Sequence, residues 1–288
     1  MTTEPLLEVR DLVVEYPGKG FRAPAFRALK GVSLDIRPGE CVGLVGESGS
    51  GKTTLGRAVL GLAPVAGGSI RFDGREISGL SSRERRRLGS EIQVVFQDPY
   101  TSLNPSMTIG EILAEPLTAR NVPRKAAQAR VAELLDQVRL PTDAVRRLPR
   151  EFSGGQRQRV AIARALALDP RLIICDEPVS ALDLSTQARV LDLFVEIQQR
   201  TGVAYLFVTH DLEVVRHVSH RVAVMYQGEI VESGEATVVT SAPEHPYTQR
   251  LWMASPVPDP VAQAQRRADR RRLLVAQAQQ DEQAGAVA

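Results

Sequence analysis

The chain has 288 residues, 43% of them apolar and 24% charged, and a net charge of +2. That is enough chain for one large domain with a sizeable core, and the near-neutral balance gives no strong field for nucleic acid or anionic lipid. No run approaches the roughly 18 apolar residues of a membrane-spanning helix, and Met1 to Arg10 holds acidic residues but no apolar signal core. The expectation is a cytoplasmic chain with no nucleic-acid partner, which can work at a membrane only through other chains that span it.

In chain order, Leu6 to Val14 and Ser33 to Ile36 alternate apolar and polar residues and predict an antiparallel flank. Cys41 to Val45 is the first of four short runs rich in Val, Ile and Leu; Ile92 to Phe96, Leu172 to Asp176 and Tyr205 to Thr209 are the others. Such runs suit parallel strands covered on both faces. Thr53 to Leu60 reads as helix. From Pro99 to Phe152 helical character takes over, with Val131, Leu134, Leu135 and Val138 at i, i+3, i+4 and i+7 on one face. Val222 to Tyr226, Gly228, and Ile230 with Val231 predict a hairpin. Beyond Gln263 the chain is rich in Ala, Gln and Arg, including Arg266, Arg267, Arg270, Arg271 and Arg272, and a solvated helix is the expected state. The pattern is α/β: a mainly parallel sheet, an antiparallel β flank and a helical subdomain of about residues 99–168 inserted into a domain of residues 1–260, then a polar tail of 261–288. Cys41 and Cys175 both fall inside strands, as buried thiols of a reducing compartment would.

Gly46-Glu47-Ser48-Gly49-Ser50-Gly51-Lys52-Thr53 fits the phosphate-binding pattern G-x-x-x-x-G-K-[ST] without a mismatch, and a strand feeds it while a helix leaves it. Glycines let successive backbone N–H groups turn toward phosphate oxygens, and the helix N-terminus adds its positive end. Lys52 supplies a point charge, and it is one of only four lysines in the chain. The Thr53 hydroxyl, with Thr54 behind it, can reach a Mg²⁺ ion. Leu172-Ile173-Ile174-Cys175-Asp176-Glu177 is an apolar strand ending in two carboxylates, which places Asp176 as a Mg²⁺ partner and Glu177 as general base or water positioner. Ser153 followed by Gln156 is a capping box for the helix over Val160 to Leu168, yet Gly154 and Gly155 in its first turn cost about 1 kcal/mol each in helix propensity. They make better sense where a phosphate must come close to the backbone.

Here the chain resembles the ATP-binding subunits of ABC transporters, whose LSGGQ signature is matched by Phe152-Ser153-Gly154-Gly155-Gln156. The resemblance runs from about Leu6 to Pro260 with every element in order. It implies that Tyr16 stacks on adenine, with Phe21 and Phe26 as alternatives, and that Gln97 links the Mg²⁺ site to transmembrane subunits. Ser180-Ala181-Leu182-Asp183 matches the family's D-loop, and His210 in Phe207-Val208-Thr209-His210-Asp211 matches the switch histidine at the γ-phosphate. In the family the signature Ser153, Gly154, Gly155 and Gln156 complete the ATP site of an opposite subunit, so a second ATPase subunit, a paralogue or an identical copy, is implied.

Gln97-Asp98-Pro99-Tyr100-Thr101-Ser102-Leu103-Asn104-Pro105, Glu115-Pro116-Leu117, Glu244-His245-Pro246-Tyr247-Thr248-Gln249 and Pro256-Val257-Pro258-Asp259-Pro260 are similar to the oligopeptide and dipeptide importer subgroup. That resemblance implies two transmembrane permease subunits, an extracytoplasmic binding protein and a peripheral place at the cytoplasmic face; it implies no catalytic role for His245. The subgroup also includes importers of nickel complexes and of glutathione, and many relatives carry a Cys-containing extension. No Cys follows Cys175, so no iron–sulfur cluster is expected. Chromosome-type ATPases put a long coiled coil between these motifs, whereas 56 positions separate Gln97 from Ser153. A soluble translation or repair ATPase is therefore the weaker alternative, and the intact Lys52, Asp176, Glu177 and His210 argue against a non-hydrolysing subunit.

Overall fold

The computed structural model describes residues 4–18, 24–98 and 102–254. Strands β1 (Leu7–Tyr16) and β2 (Phe26–Ile36) form the antiparallel flank; β3 (Cys41–Val45) then begins the main sheet. Strands β4 (Val65–Phe72) and β5 (Arg75–Glu76) return to the flank, giving the order β2-β1-β4-β5. Strands β6 (Ile92–Val95), β7 (Leu172–Asp176), β8 (Ala204–Thr209), β9 (Arg221–Tyr226) and β10 (Glu229–Glu235) complete the six-stranded sheet in the order β10-β9-β3-β8-β7-β6. Its pairings are parallel except β9 with β10, a hairpin that turns through Gln227 and Gly228 at φ 47° and 87°. The α/β class and the antiparallel flank agree with the sequence pattern.

Continuous apolar strands need cover on both faces, and the period of two decides which side each residue serves. Val42, Leu44, Ile174, Leu206 and Val208 point into a core shared with the flank and with helix α1 (Lys52–Val59). Ile173, Cys175, Tyr205 and Phe207 point into the opposite core, where Phe194 meets the Tyr205 and Phe207 rings edge-on at 5.5 and 5.4 Å. Cys41 and Cys175 are buried free thiols, and burial pushes the Cys41 thiol up to about 12.

A short helix α2 (Ser82–Leu88) precedes β6, and the helical region follows it: α3 (Ile109–Thr118), α4 (Arg124–Gln137) and α5 (Gly154–Leu166) pack on one another. Thr108 caps α3 reciprocally with Glu111, and Ser153 caps α5 reciprocally with Gln156, each cap contributing about 1 kcal/mol. Val131, Leu134 and Leu135 of α4 are buried on the predicted face, and Val138 closes it at the helix end. After β7 come α6 (Leu184–Thr201) and α7 (Leu212–Val218), then α8 (Ala236–Ser241) and α9 (Pro246–Ala254) at the β10 end. Helix α5 begins at Gly154, six residues before the apolar period predicts, because the capping box starts it. The tail of 261–288 and its arginines lie outside the described residues, as do Pro99 to Thr101 and Phe21.

Candidate active site

The loop of Gly46 to Gly51 runs from the C-terminal end of β3 into α1, and α1 is pinned beneath it by Leu55, Ala58 and Val59 in the core against the flank. A Cβ on Gly46 would lie 2.1 Å from the Met225 carbonyl oxygen, and Gly51 holds φ 110°, so neither position accepts a side chain. Lys52, only 5% exposed, donates from Nζ to the carbonyls of Gly46 at 2.7 Å and Glu47 at 2.8 Å. Its ammonium therefore sits inside the curl of its own loop. Burial lowers the Lys52 pKa, and the nearby carboxylates of Glu177, Asp176 and Glu47 pull it back up. Ser50 Oγ is buried and finds no hydrogen-bond partner among the described residues. A polar atom stranded in a glycine-lined cradle fits a phosphate oxygen.

Strand β7 delivers its two carboxylates to the same sheet edge. The Thr53 hydroxyl donates to Asp176 Oδ1 at 3.1 Å, which joins the helix start to the strand end. Burial raises the Asp176 pKa against the effect of that bond. A half-buried carboxylate beside a hydroxyl, at the mouth of a phosphate cradle, suits Mg²⁺, which takes one or two carboxylates and completes its shell with other oxygens, phosphate and water. Thr53 and Asp176 thus fit the metal the sequence implied. Glu177 occupies the left-handed region at φ 48°, its N–H donating to Val208 O at 2.9 Å. That turn aims its carboxylate away from the strand, toward His210, whose Nδ1 lies 3.3 Å from Glu177 Oε2. Gln97 is exposed just past the end of β6, on the same edge of the sheet.

Other residues singled out by sequence stand apart from this cluster. Helix α1 packs on β2, β7 and β8, whereas α5 packs on α3, α4, α6 and β6. Ser153 is exposed at the N-terminus of α5, its Oγ accepting from Gln156 N at 3.3 Å while Gln156 Oε1 accepts from Ser153 N at 3.0 Å. Gly155 is buried against α6, where an added Cβ would lie 2.2 Å from Thr186 Cγ2. Asp183 caps α6 by accepting from Thr186 N at 3.0 Å and from the Ser185 hydroxyl at 2.7 Å. Tyr16 and Phe26 face each other in register at the open end of the flank; Tyr16 leans on the core and Phe26 is 64% exposed.

A family model described as "ABC transporter" matches residues 29–180, over half of the chain. The chain belongs to the ABC transporter family. A protein of Brucella ovis, provisionally named a peptide import ATP-binding protein, is 50% identical over 267 residues, 92% of this chain and 83% of its own. The glutathione import ATP-binding protein GsiA of Shigella flexneri serotype 5b is also 50% identical, over 269 residues; this chain spans 43% of that longer protein. Among solved structures, cbiO1 of Clostridium perfringens, part of the transporter complex cbiONQ, has a TM-score of 0.75 at 28% identity, covering 83% of this chain and 92% of that one. The ATP-binding cassette MJ0796, solved as a dimer bound to ADP and Pi, has a TM-score of 0.70 at 30% identity, covering 80% and 98%. The protein is an ABC ATPase, an enzyme coupling ATP hydrolysis to transport.

Two structural ties in this ABC ATPase were not read from sequence. Arg164 of α5 donates from Nη1 to the Ser102 carbonyl at 2.6 Å, tying the signature helix to the segment that follows Gln97. A lone arginine among the alanines of Ala161-Ile162-Ala163-Arg164-Ala165 was the available signal. The second is a hydrogen bond from the Glu47 amide to the Tyr247 hydroxyl, two hundred positions away.

Proposed function

We propose that the chain is the ATP-hydrolysing subunit of an importer for di- and oligopeptides. It works at the cytoplasmic face of the membrane with a second ATPase subunit, two permease subunits and an extracytoplasmic binding protein. The arrangement that carries this reading is the separation of two phosphate-ready helix starts: the loop of Gly46 to Thr54 beside Asp176 and Glu177, and the Ser153-Gly154-Gly155-Gln156 turn, with its exposed Ser153, on a different helical neighbourhood. Each is a site for anions by virtue of its unpaired N–H groups and helix dipole. ATP held by one subunit's first site meets the second site of its partner.

In this reading the adenine rests at the open end of the flank, with Tyr16 as its platform beside Phe26. Lys52 leaves the Gly46 and Glu47 carbonyls to bind the β and γ phosphates. Thr53, Asp176 and Gln97 hold Mg²⁺, which when bound draws charge from the phosphate oxygens. Glu177 orients a water and takes its proton as the water oxygen attacks the γ phosphorus and the bond to ADP breaks. His210, 3.3 Å from Glu177, fixes that carboxylate and faces the γ-phosphate. Asp183 sits at the start of α6, where the partner's site is approached.

Among the described residues no helix is long and apolar enough to cross a membrane; in this reading the two permease subunits supply the span. The 50% identities to proteins named for peptide import and for glutathione import support a short-peptide cargo, since glutathione is itself a tripeptide. The decisive experiment is Glu177→Gln. Hydrolysis should fall by about 10²–10⁴-fold while ATP binding persists, and size-exclusion chromatography with ATP and the partner ATPase subunit should show a trapped dimer. A variant that hydrolyses at the normal rate, or stays monomeric when loaded, would remove the assignment. Co-purification of two permeases separates importer from soluble ATPase, and the ligand of the accompanying binding protein identifies the cargo.

A further inference from the structure

The stretch Glu244-His245-Pro246-Tyr247-Thr248-Gln249 has no part in the chemistry above, yet its Tyr247 side chain is hydrogen-bonded to the phosphate loop at Glu47. Glu232 of β10 accepts from the backbone N–H groups of Glu244 at 2.9 Å and His245 at 3.1 Å, one on each carboxylate oxygen. His245 Nδ1 then accepts from Tyr247 N at 3.1 Å, and Gln249 donates back to the Pro243 carbonyl at 3.0 Å. These bonds fix where α9 starts and which way its first turn faces. Tyr247 is 2% exposed, its ring lying against Tyr226 with centroids 4.2 Å apart, in a small core with Val45, Val224 and Val239. Its hydroxyl accepts from the Glu47 amide at 2.9 Å. A second tether is close by: Gly228, in the turn of the β9–β10 hairpin, donates to Ser50 O at 2.9 Å.

Glu47 is therefore gripped from two sides. Its carbonyl receives Lys52, and its N–H is spent on Tyr247, facing away from the cradle. We infer that Tyr247 is a positioning residue for nucleotide binding: through the Glu47 amide it holds the first turn of the phosphate loop in its binding shape, so that α9 acts as a strut behind the loop. Buried as it is, the Tyr247 hydroxyl cannot reach nucleotide and acts only through the loop. A flexible Gly-rich segment must be ordered before its N–H groups converge on phosphate, and a bond made beforehand removes part of that cost.

This inference rests on the phosphate-site reading, and the test separates the two. Tyr247→Phe keeps the ring and its packing but deletes the acceptor; Tyr226→Phe deletes a hydroxyl from the facing ring that, among the described residues, is bonded to the neighbouring Gln227 side chain alone. MgATP affinity by calorimetry on the full chain should fall about 3–10-fold in Tyr247→Phe, the range expected for one hydrogen bond, and stay within twofold of wild type in Tyr226→Phe. Hydrogen exchange at the Glu47 amide should quicken in Tyr247→Phe alone. Unchanged affinity in Tyr247→Phe, or an equal loss in both variants, overturns the strut. Lys52→Ala is the control: if it too binds MgATP normally, the phosphate site itself is wrong.

Discussion

The N-termini of α1 and α5 both open from glycine-bearing turns, and their surroundings have little else in common. At α1 a lysine is folded back into the loop, Thr53 touches Asp176, and Glu177 and His210 stand 3.3 Å apart. At α5 the capping serine is exposed, and its hydroxyl accepts from the Gln156 N–H of its own first turn. One terminus carries a cation, a hydroxyl bonded to a carboxylate, and a second carboxylate beside a histidine; the other offers N–H groups and a hydroxyl. Under the proposed function, the difference assigns the bond-making and bond-breaking groups to the first terminus and anion binding alone to the second. The second is a clamp for an anion brought to it, worth the attraction of a helix start and no more.

Breaking the first terminus should have the larger consequence. Lys52→Ala removes the cation from a buried site and should weaken MgATP binding about 100-fold or more, read by calorimetry, since charge-assisted phosphate contacts are the strong ones. If affinity were unchanged, α1 would be no different in kind from α5. The second terminus is probed through Gly155, whose absent side chain lets α5 lie against Thr186. In Gly155→Ala the new Cβ, 2.2 Å from Thr186 Cγ2, must displace the Thr186 side chain or α5 from α6, at a cost of about 1–3 kcal/mol in thermal or denaturant unfolding. Nucleotide affinity of the isolated subunit should hold, and the ATP-trapped dimer of the Glu177→Gln background should be lost. An affinity loss in the lone subunit matching that of Lys52→Ala would mean that both termini serve a site within one chain.

The same contrast governs how much could be read from the sequence. The loop of Gly46 to Thr53 and the Asp176-Glu177 strand end are legible because their patterns are local: glycines set by backbone shape, two adjacent carboxylates at a strand end, apolar runs set by two-sided burial. The four central strands were legible for the last reason. Val65–Phe72 was not, because Ala66, Gly67, Gly68 and Ser69 lack strand character, and only the register with β1 and the burial of Ile70 and Phe72 hold it in the sheet. The left-handed turn at Glu177 and the bond from Glu47 to Tyr247 depend on partners brought together by the fold. Gly155 was read as room for phosphate, and the structure adds a packing reason in Thr186, which no local pattern reveals.

A smaller effect sharpens the boundary between these regions. Asp183 starts the helix that carries Thr186, and the bonds it accepts from Thr186 and Ser185 hold its carboxyl down at about 2, below its ordinary 3.8. A depressed carboxyl adds stability that is fully present above the unfolded-state pKa and drains away as pH falls through the folded value. The window is therefore between roughly pH 4 and pH 2. Asp183→Asn keeps a good capping acceptor but cannot titrate. Wild type should exceed the variant in stability by a constant margin from neutral pH down to about 4, and the margin should close as pH approaches 2. Because Asp183 is exposed the margin is small, and chemical denaturation at several pH values is the measurement that resolves it. If the gap stayed constant at pH 2, shape rather than charge would hold the start of α6. The contact of Gly155 with Thr186 would then owe nothing to the carboxylate of Asp183.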